Sequence, residues 1–185
     1  MALRLFCAVQ LPDPLRGRLA AHAQRLAGGG RVMAAENLHV TVHFLGRVDE
    51  TDAVPLEGAL RAAVATVSPF TLTVTGVVPG PRRRPRMLWA TIERDPRFDE
   101  LADVVAAAAA PFAPGALPPR TARPHITLVR HRGAPPAGEA ELTAAIPVDA
   151  VELVRSRLRP GGAAYETLAR LPLEPAAPVD QLKPV

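Results

Sequence analysis

Apolar and polar positions alternate along several short segments of the chain, and between these segments apolar residues recur at helical spacing. The two periods are typical of half-buried strands and amphipathic helices. Strands are predicted at Arg4–Leu11, Asn37–Gly46, Phe70–Val77, Met87–Ile92, 124–130, 148–158 and 163–173, and helices at Asp13–Ala27, Asp49–Val67 and Phe98–Ala110. The resulting order, βαβαββαβββ, predicts an α+β fold with largely antiparallel sheets.

The first predicted helix has the clearest start signal. Asp13 is expected to cap its N-terminus and Pro14 to take the first helical position. Leu15, Leu19 and Ala23 recur at helical spacing, which predicts that they form the buried face.

Two predicted strands contain the same His-x-Thr pattern. The stretch "NLHVTVHFLG" carries His39 and Thr41, and "RPHITLVR" carries His125 and Thr127 nearly half a chain later. Residues i and i+2 of a strand point to one face, roughly 6.5–7 Å apart. Each pair can therefore meet one ligand, and the long repeat predicts two similar lobes related by a pseudo-twofold axis, each with one strand at a shared cleft.

Paired histidines and threonines suit the chemistry of a phosphodiester. Histidine titrates near a pKa of about 6.5, so one imidazole can act as a base while the other acts as an acid. The threonine hydroxyls can donate hydrogen bonds to the oxygens of the phosphate. A zinc site is not expected, because His39 and His43 would lie roughly 13 Å apart on a strand.

Composition narrows the class of protein. The chain has 185 residues with a formal charge of +4, and 48% of its residues are hydrophobic. No apolar run reaches the ~18 residues that a membrane span needs. The single cysteine, Cys7, fits a reducing compartment and is interpreted as a core residue. We expect a cytoplasmic protein whose positive charge suits an anionic partner such as RNA.

The chain resembles the two-histidine (2H) phosphoesterase superfamily, and within it the RNA 2′,3′-cyclic phosphodiesterases, which are also called 2′-5′ RNA ligase-like proteins. The resemblance covers Arg4 to Leu173 and rests on "RLFCAVQLP", "NLHVTVHFLG", "MLWATI", "RPHITLVR" and "AAYETL". It implies a bilobal fold of two mainly antiparallel sheets with helices on the outer faces and a central cleft. We expect one such domain over residues 1–173, followed by a proline-rich tail over residues 174–185.

The resemblance also implies an activity and a role for each motif residue. The activity is the hydrolysis of RNA 2′,3′-cyclic phosphate ends to 2′-phosphomonoesters, without a metal or cofactor. His39 would be the proton donor and His125 the proton acceptor, while Thr41 and Thr127 would steady the phosphate. A monomer that acts on an RNA end or on a small cyclic nucleotide is expected, with no membrane partner.

Two groups of alternatives stay open from the sequence. One lies within the superfamily and includes hydrolysis of another small cyclic phosphodiester or 2′-5′ RNA ligation, in which the acid and base roles would exchange. The other is a non-catalytic RNA-binding module on the same fold.

Several residues near the motifs are weaker candidates for the site. His43 shares the parity of His39 and is considered for substrate binding or for a polar rim at the strand end. Arg130 is a candidate phosphate ligand, but simple alternation places it opposite His125, so it needs a twist or a bulge. Arg123 is assigned to the cleft or to the surface, and His131 to an exposed loop.

Aromatic and basic residues complete the candidates. Trp89 and Tyr165 are considered for stacking on a nucleobase, with the core or the cleft wall as the alternative for Trp89. Phe6 and Phe44 are assigned to the core. The segment Pro81–Arg86, "PRRRPR", is interpreted either as an RNA-backbone contact or as a solvated loop.

Overall fold

A computed structural model of the chain describes residues 1–116, 123–136, 140–159 and 162–175. These residues form nine strands and three α-helices. In chain order they are β1 (Ala2–Gln10), α1 (Asp13–Leu26), β2 (Arg31–Val32), β3 (His39–Asp49), α2 (Ala53–Val64), β4 (Phe70–Gly80), β5 (Met87–Ile92), α3 (Pro96–Ala109), β6 (His125–Arg130), β7 (Ala144–Val148), β8 (Ala150–Arg159) and β9 (Gly162–Pro172).

The strands form two sheets, and every pairing in both sheets is antiparallel. A four-stranded sheet has the order β3-β1-β8-β9, and a five-stranded sheet has the order β2-β6-β5-β4-β7. The two motif strands, β3 and β6, thus belong to different sheets. The prediction of an α+β fold with two antiparallel sheets is confirmed.

One large apolar core joins both sheets to the three helices. Alternation explains its contribution from β1, where Leu3, Leu5, Cys7 and Val9 all face this core. The intervening Phe6 belongs to a second, smaller cluster together with Ala8 and Val154. One face of β1 therefore packs into the large core, and the other face packs into the smaller cluster.

Helix α1 buries the face that its spacing predicts. Leu15, Leu19 and Ala23 are the buried residues of α1. The predicted N-cap is wrong by one position, because Pro12 caps this helix and Asp13 lies in its first turn. No described helix is long and apolar enough to cross a bilayer.

Two strands were absent from the sequence prediction, and one helix begins later in its predicted span, as the proline at position 55 indicates. β2 has two residues, and β7 contains Pro147; they are the outer strands of the five-stranded sheet, where a short strand and a proline are tolerated. Strand β3 continues to Asp49, so that α2 begins only at Ala53. Most of the predicted proline-rich tail, residues 176–185, lies outside the described residues.

Candidate functional site

A cavity of about 710 Å³ is lined by strands of both sheets. The four-stranded sheet contributes His39 and Thr41 from β3, and the five-stranded sheet contributes His125 and Thr127 from β6. All four side chains are partly buried. The two His-x-Thr strands therefore present their polar residues to one shared space.

Each imidazole is fixed by a backbone carbonyl two residues earlier in the chain. The Nδ1–H of His39 donates to the carbonyl of Asn37 at 2.8 Å, and the Nδ1–H of His125 donates to the carbonyl of Arg123 at 2.7 Å. A carbonyl only accepts, so each neutral ring carries its proton on Nδ1. The Nε2 atom of each ring is left with a lone pair, and Nε2 of His39 lies 3.2 Å from the hydroxyl of Thr41.

Aromatic rings hold the two imidazoles in different ways. Trp89 stacks on His125, with ring centroids 3.9 Å apart and planes inclined by 26°. A Cβ on Gly80 would lie 2.2 Å from the indole, so a glycine lets Trp89 occupy this position. His39 instead packs at 5.0 Å from Phe6 and edge-on to Tyr165 at 5.3 Å.

The pKa values of both imidazoles lie below the ordinary value for histidine. Burial lowers the pKa of His39 most, the hydrogen bond to Asn37 partly raises it, and the charges of His125 and Arg130 lower it further. Burial likewise lowers the pKa of His125, with a raising contribution from the Arg123 carbonyl and a lowering one from Arg130. The repulsion between the two rings means that a proton on one of them makes protonation of the other less favourable.

Both motif strands contain a bulge at the same place in the motif. In β3 the pairing with β1 skips Val42, and in β6 the pairing with β5 skips Leu128. Each bulged residue lies three positions after the motif histidine, and it reverses the alternation that follows. In β3 the reversal ends at Leu45, which the pairing with β1 also skips.

The bulge in β3 overturns two predictions. His43 is only 5% exposed and does not line the cavity, so its assignment to substrate binding or to a polar rim is wrong. Phe44 is 54% exposed and lines the cavity, so its assignment to the core is also wrong. Phe6 is buried as predicted, although on the cavity side of β1.

The bulge in β6 has the matching effect. Val129 turns to the core, and Arg130 turns to the cavity beside His125 and Thr127. The bulge that Arg130 needs in order to reach the face of His125 is therefore present, and Arg130 stays a candidate phosphate ligand. Its guanidinium contacts the sulfur of Met87 at 3.6 Å.

Other candidates lie outside the cavity or contribute only their backbone. Arg123 is exposed and offers its carbonyl to His125. His131 is half-buried against Gly30 rather than exposed in a loop, which corrects the prediction. Burial raises the pKa of the Cys7 thiol to about 12, so the thiol stays protonated in the core.

Two arginines at the cavity were not among the site residues expected from the sequence. Arg4 of β1 and Arg31 of β2 both line it, although neither lies in a His-x-Thr motif. Arg31 extends from the five-stranded sheet to Gly162 of the four-stranded sheet, where a Cβ would lie 2.2 Å from its guanidinium. Only the pairing of distant strands brings these side chains to the motif histidines.

Comparisons with known proteins agree with this architecture. Residues 9–89 match the family of LigT like phosphoesterases. The RNA 2′,3′-cyclic phosphodiesterase of Thermus thermophilus is 31% identical over 182 residues, which cover 92% of this chain and 90% of that relative. The crystal structure of TT0787 of Thermus thermophilus has a TM-score of 0.81 at 30% identity and covers 95% of this chain and 100% of that chain. The crystal structure of Escherichia coli LigT complexed with 3′-AMP has a TM-score of 0.75 at 27% identity and covers 94% of this chain and 99% of that chain.

Proposed function

The chain belongs to the LigT-like phosphoesterase family, and from that premise we propose that it hydrolyses RNA 2′,3′-cyclic phosphate ends to 2′-phosphomonoesters. One observation carries the proposal: two imidazoles from different sheets line one cavity, each with Nδ1 fixed by a carbonyl. A relative of similar length is an RNA 2′,3′-cyclic phosphodiesterase, and a similar structure binds 3′-AMP. The names of this relative and of this structure both support a nucleotide phosphate as the ligand of the cavity.

In the proposed reaction, water attacks the phosphorus atom opposite the 3′ oxygen. Nε2 of neutral His125 accepts a proton from the water as the new P–O bond forms. Nε2–H of protonated His39 donates its proton to the 3′ oxygen as the P–O3′ bond breaks. The product keeps its phosphate on the 2′ oxygen, and the two histidines exchange their charge states until solvent resets them.

The fixed tautomers prepare both steps. Because Nδ1–H of each ring is already donated to a carbonyl, the lone pair of a neutral ring lies on Nε2, where a base needs it. A protonated ring presents Nε2–H, where an acid needs it. The Thr41 and Thr127 hydroxyls and the Arg130 guanidinium are proposed to bind the non-bridging oxygens of the phosphate.

A bound phosphate offsets the low pKa values of the free site. Burial and the positive charge of Arg130 disfavour an imidazolium while the cavity holds only solvent. An anionic phosphodiester between the rings favours the charged form of each. Substrate binding therefore helps His39 to acquire the proton that it donates.

Incubation of the purified protein with a cyclic mononucleotide in EDTA tests the proposal. We expect release of a 2′-phosphate and almost complete loss of turnover in His39→Ala and in His125→Ala. Loss of activity in EDTA would instead indicate a metal-dependent reaction. Binding of RNA without turnover would identify a non-catalytic module, and wild-type rates in either histidine variant would refute the assigned roles.

A further inference from the structure

Two arginines and a methionine form a row at one end of the five-stranded sheet. Arg130, the last residue of β6, is the register partner of Arg31 on β2 and of Met87 on β5. All three residues line the cavity. This row is the border between the cavity and the segment that follows β6.

The segment Pro81–Arg86, here called the basic loop, is fixed to that border. The backbone N–H of Arg86 donates to the carbonyl of Gly80 at 2.9 Å, and the carbonyl of Arg86 accepts from the N–H of His131 at 2.8 Å. The Arg86 guanidinium donates to the carbonyl of Arg132 at 2.8 Å. The basic loop is therefore held beside the residues that directly follow Arg130.

The charges of the basic loop face water without a carboxylate partner. Arg82, Arg83 and Arg84 are exposed, and none of them forms an ion pair within the described parts of the chain. Elsewhere in those parts, acidic side chains pair with six arginines: Arg16, Arg61, Arg94, Arg97, Arg157 and Arg170. Positive charge that is not compensated next to a cavity attracts an anionic ligand.

We propose that the basic loop binds the phosphodiester backbone of RNA upstream of the cyclic end, so that the enzyme prefers a polynucleotide to a cyclic mononucleotide. This inference rests on the proposed function, because it assigns a longer substrate to the same cavity. Five residue steps along β6 separate His125 from Arg130, which corresponds to at most roughly 17 Å at the usual rise. The reacting phosphate binds near the histidines, whereas the basic loop lies beyond the far end of β6. The loop therefore contacts phosphates further along the RNA and not the reacting one.

A loop variant and a matched control test the inference. R82Q/R83Q/R84Q removes three charges from the basic loop. R18Q/R25Q/R61Q removes the same charge from exposed positions on α1 and α2, outside the cavity lining. The probes are a cyclic mononucleotide, a short oligoadenylate RNA that ends in a 2′,3′-cyclic phosphate, and the corresponding oligoadenylate that ends in a 2′-phosphate.

The salt dependence of binding to the 2′-phosphate oligoadenylate gives the expected size of the effect. Each phosphate contact on a single strand changes the slope of log K against log salt by about −0.7. Three contacts therefore predict that affinity falls about twenty-fold more in the wild type than in the loop variant between about 50 and 200 mM salt. The control variant should keep the wild-type slope, because its lost charges lie outside both the cavity lining and the basic loop.

Turnover separates this inference from the proposed function. We expect the loop variant to lose kcat/KM for the cyclic oligoadenylate while it retains that for the cyclic mononucleotide. Wild-type binding and salt slope in the loop variant would overturn the inference, and so would an equal loss on both substrates. A wild-type protein that hydrolyses neither substrate but binds RNA with the predicted slope would refute the proposed function and leave the loop assignment intact.

Discussion

The backbone carbonyls of Asn37 and Arg123 select which nitrogen of each imidazole faces the cavity. The same His-to-carbonyl spacing occurs in both motifs, so the segment that leads into each strand orients the histidine at the start of that strand. Neighbouring rings then restrict the imidazoles further, with Trp89 against His125 and Phe6 against His39. At the scale of single residues, the site is thus oriented before a substrate arrives.

Replacement of the threonine hydroxyls should weaken turnover without abolishing it. In Thr41→Val and Thr127→Val we expect kcat to fall about ten- to a hundred-fold, because a hydrogen bond to a charged group contributes about 1.5–3 kcal/mol. Thr71→Val, at an exposed position of β4 away from the cavity, is the control. Steady-state kinetics measure the effect, and unchanged kcat in both motif variants would contradict the threonine assignment.

His43 should make the protein less stable in mild acid. Burial lowers the pKa of His43, so the unfolded chain takes up a proton first as the pH falls below about 6.5. Stability from the neutral ring is therefore complete above that pH and is lost as the pH falls through the folded pKa. Urea unfolding at pH 7.5 and 5.5 should show a smaller loss in His43→Leu than in the wild type, and an identical loss would refute this role.

At the scale of elements, two bulges decide which side chains reach the cavity. The extra residues Val42 and Leu128 bring Phe44 and Arg130 to the cavity face. The two motif strands thus share one backbone design but place different chemistry at the fifth position after each histidine. One lobe contributes an aromatic ring there, and the other contributes a positive charge.

A glycine on β4 tests how strongly neighbouring strands position His125. In Gly80→Ala the new Cβ would collide with Trp89, so we expect the indole to shift and kcat to fall. Gly58→Ala is the matched control, since its Cβ would meet no atom within 4 Å. Because alanine is more stable than glycine within a helix, this control substitution should raise the free energy of unfolding by about 0.5–1 kcal/mol and leave kcat unchanged. Wild-type kcat in Gly80→Ala would show that the stacked ring is not needed.

At the scale of the whole molecule, the site exists only where two sheets meet. Each sheet supplies one histidine, and Arg130 of one sheet lowers the pKa of histidines in both. The cytoplasmic location, the monomeric state and the pseudo-twofold axis stay predictions of the sequence.

The coupling between the sheets should be visible in the pH profile of kcat/KM. Catalysis as proposed needs one protonated and one neutral ring, and both pKa values are lowered in the free protein, so we expect a bell-shaped profile with its maximum below about pH 6.5. Arg130→Gln removes a repelling charge and should move both limbs to higher pH. Arg123→Gln, which leaves the carbonyl in place, should not move them. A flat profile, or one that Arg130→Gln leaves unshifted, would contradict the coupled pair.

The sequence by itself determined seven of the nine described strands, the antiparallel α+β class and the two His-x-Thr pairs. These features are local, because alternation with a period of two is enough to place His39 and Thr41 on the same face of their strand. The same rule failed at His43 and Phe44, where one additional residue in β3 reversed the faces.

Only the tertiary structure decided which distant strands pair and therefore what surrounds each histidine. A bulge depends on the partner strand, and β1 and β5 are far in the chain from the bulged strands β3 and β6, so no local pattern reveals it. The pairing of β2 with β6 brings Arg31 to the cavity. The backbone hydrogen bond between Arg86 and His131 holds the basic loop beside Arg130. Local periodicity specifies a face, whereas the register between distant strands specifies what that face meets.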